Sequence, residues 1–171
     1  MKDLCKKLVK NTALIEKELR EIGNIPQEGK IPRSSQVIPF VLVRDTRGYI
    51  EKVVNQINGT YENGWFDACL VMIRRLIETL IIEVFESYGL ETKIKDQNGE
   101  YFFLKELISK GLNENTWNLS RNTKRSLPKL KDVGDKSAHS RRFNAIKNDV
   151  DVLIPDIRVT VQELIYLAGL K

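Results

Sequence analysis

The sequence contains few of the residues from which metal sites and nucleophilic active sites are usually built. Its 171 residues include one histidine, His139, and two cysteines, Cys5 and Cys69, which are far apart in the chain. One imidazole and two separated thiols do not supply the four ligands of a zinc site, so we expect no metal. Two scattered cysteines also suit a reducing compartment better than a disulfide framework, which predicts a cytoplasmic protein.

Sequence signatures of several other protein classes are also absent. No apolar run reaches the ~18–20 residues that cross a bilayer, and charges interrupt the apolar pattern of the N-terminus, unlike in a signal peptide. We therefore expect no contact with a membrane. The chain lacks G-x-x-x-x-G-K-[ST], G-x-G-x-x-G and H-E-x-x-H, which argues against P-loop nucleotidases, dehydrogenases and zinc hydrolases and predicts no cofactor.

Positive charge is plentiful, and it is concentrated in one segment. The formal net charge is +5, from 28 Lys and Arg against 23 Asp and Glu. Residues 121–142 hold eight of the basic residues and two acids, while the remainder of the chain holds 20 basic and 21 acidic residues. A basic segment attracts polyanions such as RNA or DNA. The alternative is an ordinary solvated face of mixed charge.

The spacing of apolar residues predicts an all-α fold. Helices are expected over residues 2–22, from Ile50 to a break at Asn58–Thr60, over 65–88 with Gly89 as its stop, from Tyr101 to Gly111, and over 149–168. Ser126 is expected to cap a further helix through His139, with Pro128 in its first turn. Pro155 should kink or split the start of the last helix.

We therefore predict a bundle of about four main helices with short satellite helices. Residues 24–48 contain Pro26, Pro32 and Pro39, which predicts an extended connection because proline breaks helices. The predicted division places an N-terminal helix and this connection in residues 1–45. The helical domain then covers residues 46–171, and both parts are expected to form one unit.

The helix over residues 65–88 carries the first group of candidate site residues. Arg74 and Glu78 are four residues apart on an otherwise mostly apolar helix, so they can form an ion pair. A structural ion pair is one interpretation, because charges on a buried helix are costly unless they are paired. The other is that Arg74 or Arg75 binds an anion, since a planar guanidinium matches phosphate with two hydrogen bonds.

The second group lies in GDKSAHSRR, residues 134–142. On a helix, Asp135 and His139 share one face, so the carboxylate can orient the imidazole and keep it basic. Gly134 inside a helix costs about 1 kcal/mol relative to alanine, which a close approach by another helix would explain. The alternative for His139 is a structural residue of the core.

These residues resemble a known family. GYIEKVVNQINGTYENGWFDACLVMIRRLIETLI (48–81), then LKDVGDKSAH (130–139) and a final long helix, resemble HEPN-like proteins (higher eukaryotes and prokaryotes nucleotide-binding). The similarity covers about residues 47–168. More narrowly, the sequence is similar to an uncharacterised bacterial branch with an R-x-x-x-E helix and a G-N-x-x-A-H segment.

The resemblance implies an all-α homodimer that acts on or near RNA. In active members an arginine and a histidine separated by four to six residues form a metal-free ribonuclease site across the dimer. His139 matches that histidine and Asp135 the polar residue after the arginine, but the arginine position is Gly134. Lys131 and Asp135 stand where the branch favours Arg and Asn. The first keeps the positive charge, and the second adds a negative one that could repel phosphate.

Three functions are compatible with these features. The first is binding of RNA or nucleotide phosphates by a basic patch around His139, in bacterial defence or RNA metabolism. Its candidate phosphate ligands are Arg74, Arg75, Arg121, Arg125, Lys131, Lys136, Arg141 and Arg142. The second is a metal-independent endoribonuclease with His139 as acid and base and Asp135 as its partner. The third is a non-catalytic dimerisation or interaction domain with an operon-encoded partner.

Overall fold

The computed structural model describes residues 11–12 and 37–171. The chain divides into two units, Met1–Ile31 and Pro32–Lys171. The helix predicted over residues 2–22 lies outside the described residues, apart from Asn11 and Thr12, which are helical. The predicted connection also lies outside them up to residue 36.

Six α-helices make up the bundle within residues 37–171, which contain no strand. They are α1 (Gly48–Glu62), α2 (Phe66–Ser87), α3 (Leu104–Asn113), α4 (Arg121–His139), α5 (Lys147–Asp151) and α6 (Ile154–Leu167). Two 3₁₀ helices, Phe40–Leu42 and Glu91–Ile94, lie in the connections. The predicted all-α bundle is therefore confirmed. No helix in this part of the chain is both long and apolar enough to cross a bilayer.

Helix α2 is the centre of the bundle. It packs against α1, α3, α4 and α6, so apolar residues are needed on most of its circumference. Ile73, Leu76 and Leu80 are almost fully buried, and each contributes about 1.5–3 kcal/mol by leaving water. The helix ends where predicted, because Gly89 takes a φ of 66° that other residues rarely adopt.

Helix α1 does not break at Asn58–Thr60, so this prediction was wrong. The fully buried Asn58 side chain accepts hydrogen bonds from the Val37 and Ile38 N–H groups at 3.1 and 3.0 Å. It also donates to the Ile38 carbonyl at 2.9 Å. These tertiary bonds give Asn58 a role inside the helix that outweighs its weak helix propensity. They also hold residues 37–38 on the core.

Helix α4 begins at Arg121, not after Ser126, so the predicted start was wrong. The Ser120 side chain is the cap and accepts from the Thr123 N–H at 3.2 Å, while Ser126 is buried inside the helix. Pro128 consequently lies in the helix interior instead of its first turn. It lies on the exposed side, where water can bond to the Lys124 carbonyl that lacks its usual N–H partner.

Of the two remaining predicted helix boundaries, the one at a proline is correct and the one at a glycine is wrong. Pro155 splits the last element into α5 and α6, as predicted, and occupies the first turn of α6. Helix α3 continues past Gly111 to Asn113, so the predicted end was two residues short. Gly111 packs under the Phe85 ring, which would lie 3.9 Å from an added Cβ atom. This is an ordinary contact distance, so Gly111 neither ends the helix nor is required by the packing.

Candidate nucleic-acid interface

Helix α4 carries most of the concentrated positive charge, and its first turn is anchored to α6. The Glu163 carboxylate of α6 accepts hydrogen bonds from the Ser120 N–H, the Ser120 hydroxyl and the Thr123 hydroxyl at 2.5–2.6 Å. A carboxylate also complements the positive end of the helix dipole. These bonds to Glu163 fix the direction in which α4 crosses the bundle, and they therefore also fix which face of α4 points to solvent.

The two faces of α4 differ sharply in composition. The buried face consists of small or apolar residues: Thr123, Ser126, Leu127, Leu130 and Gly134. Arg121, Arg125 and Lys136 lie on the exposed side, and their spacing at 100° per residue places them in one row. The row extends about 22 Å along the helix at 1.5 Å per residue. None of the three side chains makes an ion pair or hydrogen bond among the described residues.

Gly134 lets α2 and α4 approach each other closely. A Cβ atom on Gly134 would lie 2.7 Å from the Arg74 Cβ atom and 3.2 Å from the Leu70 carbonyl oxygen. Both neighbours belong to the body of α2, so neither can move aside without moving the helix. The predicted reason for this glycine, close approach by another helix, is confirmed.

Three charged side chains meet at this crossing. Arg74 Nε donates to Asp135 Oδ1 at 2.6 Å, and Lys131 Nζ donates to Asp135 Oδ2 at 2.6 Å. The ion pair predicted within α2 is present at 3.5 Å between Arg74 Nη1 and Glu78 Oε2, but the contact with Asp135 is shorter. Arg74 therefore connects α2 to α4, and Arg74 and Lys131 together neutralise Asp135 instead of presenting free charge to a ligand.

The neighbours of Asp135 change its acidity. Partial burial favours the neutral acid, but hydrogen bonds from Lys131 and Arg74 outweigh it and hold the pKa of Asp135 below its ordinary 3.8. The same contact with Asp135 raises the pKa of Lys131 above 10.5. Asp135 and Lys131 are consequently both charged at neutral pH.

We expect Asp135→Asn to lower the free energy of unfolding at pH 7 by about 1–3 kcal/mol, the value of hydrogen bonds to charged groups. Because the pKa of Asp135 is depressed in the fold, its stabilisation is complete above the ordinary 3.8 and is lost as pH falls through the folded-state value. Urea unfolding at pH 7 and below pH 3.8 should therefore show a difference that shrinks in acid.

The control for this comparison is Asp132→Asn. The Asp132 side chain is 65% exposed, and its one ion pair in the described part of the chain is with Lys131 at 3.3 Å, so the loss should be below about 1 kcal/mol. Equal losses in the two variants, or a difference that persists in acid, would contradict the assignment of Asp135 as the stabilising partner.

The loop after α4 is fixed at its far end by a residue of α2. Asp67 accepts from the Ala145 N–H, with both carboxylate oxygens at 3.2 Å. The loop therefore returns to the first turn of α2 and exposes Arg141 and Arg142. Neither arginine side chain makes an ion pair or hydrogen bond among the described residues. No local pattern signals the Asp67 contact, because it joins residues 78 positions apart.

His139 is the last residue of α4 and is exposed. The interpretation of His139 as a core residue was therefore wrong. No hydrogen bond joins it to Asp135 or to any other residue within 37–171, and the two oxygens of Asp135 accept from Arg74 and Lys131 instead. The predicted partnership of these two residues is thus not formed in this conformation.

Arg75 is the one predicted ligand that remains, and the segment 121–142 also holds two lysines that were not predicted ligands. Arg75 is exposed on α2 with no ion pair in the described part of the chain. Other basic residues of the segment already have partners: Lys129 pairs with Asp156 at 2.8 Å, and Lys124 donates to Asn118 at 3.2 Å. The surface with unpaired charge is therefore smaller than the sequence suggested. We call it the basic surface, and it comprises Arg121, Arg125, Lys136, His139, Arg141 and Arg142.

Comparisons with family models, with curated proteins and with solved structures find no match to this chain. The similarity to HEPN-like proteins therefore stays a prediction, and the site must be judged from its own geometry. The described residues contain no cluster of three or more His, Cys, Asp or Glu that could hold a metal ion. Cys69 is buried, and burial raises its pKa to about 12 despite a hydrogen bond with Thr60, so it is a neutral thiol.

Proposed function

We propose that the helical domain binds RNA through its phosphates on the basic surface. The observation that carries this proposal is the set of five exposed Lys and Arg side chains on α4 and the following loop that form no ion pair within residues 37–171. Solvated phosphates are attracted to such charges and release counterions on binding. The predicted kinship with HEPN-like proteins favours RNA over other polyanions.

The neutralisation of Asp135 supports the same proposal. A free carboxylate beside His139 would repel phosphate, but Arg74 and Lys131 each contact Asp135 at 2.6 Å. Asp132 is the one acid within the exposed row, and it lies 3.3 Å from Lys131. The potential at the basic surface is therefore dominated by its unpaired cations.

Replacing Arg141 and Arg142 together by glutamine should weaken RNA binding about ten-fold or more at low salt, because charge-assisted bonds contribute about 1.5–3 kcal/mol each. The slope of log K against log salt should also fall, by about 0.7 for each phosphate of a single strand that the variant no longer neutralises. Anisotropy titrations of a labelled RNA over a range of salt concentrations measure both quantities.

The matched control replaces Arg44 and Lys52 by glutamine, since both are exposed outside the basic segment. It removes the same charge, so an equal loss of affinity would mean that only net charge matters and would contradict a defined surface. Absence of binding at about 50 mM salt, where phosphate contacts are strong, would remove the proposal altogether.

Cleavage of RNA by His139 is the alternative. The exposed imidazole beside Arg141 and Arg142 favours it, because a base and a cation would be adjacent. The contacts of Asp135 weigh against it, since no carboxylate in the described part of the chain orients His139. Structured RNA would then be cut in EDTA by the wild type and not by His139→Ala; equal products from both would exclude His139 as the catalyst.

A further inference from the structure

Trp65 is an exposed aromatic residue on a rigid part of the backbone. Its side chain is 54% exposed, between α1 and α2. Its backbone N–H donates to the Thr60 carbonyl at 2.8 Å, and its backbone carbonyl accepts from the Cys69 N–H at 2.9 Å. The indole is thus presented to solvent from a fixed main chain, and ordering it on a ligand costs little entropy.

The loop that carries Arg141 and Arg142 is bonded, through Ala145, to the first turn of α2, which Trp65 directly precedes. Asp67, two residues after Trp65, accepts from the Ala145 N–H. Arg142 precedes Ala145 by three residues, so at most ~11 Å of chain separates their Cα atoms. Ile146, next to the anchored Ala145, is also exposed. One end of the bundle therefore combines an aromatic face with two guanidinium groups.

This combination has a specific ligand chemistry. Aromatic side chains stack on bases of any sequence, while neighbouring cations follow the phosphates, and together they bind single strands. A duplex hides its base faces in its own stack, so it offers Trp65 nothing to stack on. We propose that Trp65 stacks on an unpaired nucleobase whose flanking phosphates are bound by Arg141 and Arg142, so that this surface selects single-stranded nucleic acid.

The inference rests on the proposed binding of RNA, and intrinsic fluorescence can test it separately. The chain has two tryptophans. Trp117 is 9% exposed, lies 4.9 Å from the Phe85 ring and donates to the Gly111 carbonyl at 3.3 Å. A stacked base can therefore quench Trp65 while Trp117 contributes a constant background.

Oligouridine should quench the fluorescence of the wild type, and a Trp65→Phe variant should show no such change. Trp65→Ala should weaken binding of the single strand about 5- to 150-fold, the range for one base–aromatic stack. Trp65→Phe keeps an aromatic ring and should therefore lose less affinity for the single strand than Trp65→Ala. Duplex RNA should bind the wild type and Trp65→Ala equally.

The control variant is Phe103→Ala, an equally drastic change at a 79% exposed aromatic residue. Phe103 lies two residues after Tyr101, which bonds to Glu86 near the other end of α2. Because 21 residues separate Glu86 from Trp65, that end of the helix lies about 30 Å from Trp65. This variant should bind oligouridine like the wild type.

Two results would overturn the stacking role and leave the proposed function standing. One is RNA binding without quenching and with full affinity in Trp65→Ala. The other is a change of oligomeric state in Trp65→Ala at unchanged affinity, which would assign this surface to a second copy of the chain. If no nucleic acid binds the wild type even at low salt, the proposed function fails and this inference fails with it.

Discussion

Gly134→Ala should destabilise the protein even though alanine is the better helix former. The added Cβ atom would lie 2.7 Å from the Arg74 Cβ atom and 3.2 Å from the Leu70 carbonyl oxygen, so α2 and α4 must separate. Overpacking of this kind costs about 1–3 kcal/mol, against a gain in helix propensity of about 1 kcal/mol. We expect a net loss of up to about 2 kcal/mol.

The measurement is thermal or urea unfolding followed by circular dichroism. A loss of 1 kcal/mol lowers the melting temperature by about 2–4 °C in a chain of this size. The matched control is Gly59→Ala in α1, where an added Cβ atom meets nothing within 4 Å. That variant should be more stable than the wild type, by up to about 1 kcal/mol. Similar changes in both variants would refute the close crossing at Gly134.

Gly134→Arg tests both the close helix crossing and the capacity for catalysis. It would recreate the arginine–histidine spacing that the resemblance associates with active ribonucleases. A side chain that begins against the Arg74 Cβ and Cδ atoms, at 2.7 and 3.3 Å, should cost about 3 kcal/mol or more. We therefore expect loss of the Arg74–Asp135 ion pair and of stability, not a gain of cleavage. A folded Gly134→Arg variant that cuts RNA in EDTA would contradict this.

The sequence predicted those features that depend on local pattern. The central helix, its end at Gly89 and the split at Pro155 follow from periodicity and from the backbone limits of glycine and proline. The reason for Gly134 was predicted because glycine inside a helix is costly unless something needs the space. The concentration of charge in residues 121–142 was likewise visible as composition.

Other features depend on contacts between distant residues and could not be read from local pattern. Asparagine has a weak helix propensity, but the Asn58 side chain binds the backbone of residues 37–38 where they pack on α1. The start of α4 is decided by Glu163, 43 positions from Ser120. The pairing of Asp135 with Arg74 spans 61 positions, so the sequence placed Asp135 with His139 instead. Local spacing identifies possible partners, whereas the fold decides among them.

Asn58→Ala should cause the largest loss of stability among single substitutions outside the apolar core. It removes three hydrogen bonds, to the Val37 N–H, the Ile38 N–H and the Ile38 carbonyl, and both residues are fully buried. Each buried polar group left without a partner costs about 1–3 kcal/mol. Water that reaches the three backbone groups left without a partner recovers part of this cost, so the expected total loss is about 3–5 kcal/mol.

The matched control for Asn58 lies one turn earlier on α1. The Asn55 side-chain oxygen is buried and has no hydrogen-bond partner within residues 37–171, so Asn55→Ala should cost little or should stabilise the fold. Urea unfolding of the two variants measures the global difference. Equal stability of the two variants would show that the Asn58 bonds contribute nothing net.

Hydrogen exchange at residues 37–43 measures the local effect of the same substitution. Arg158 Nε also donates to the Val37 carbonyl at 2.8 Å, and Lys171 Nζ donates to the Val41 carbonyl. These tertiary bonds to the segment remain in Asn58→Ala, while the three bonds to residues 37 and 38 are removed. The segment should therefore become labile before the bundle unfolds. A large global loss with unchanged protection at residues 37–43 would instead place the cost inside α1.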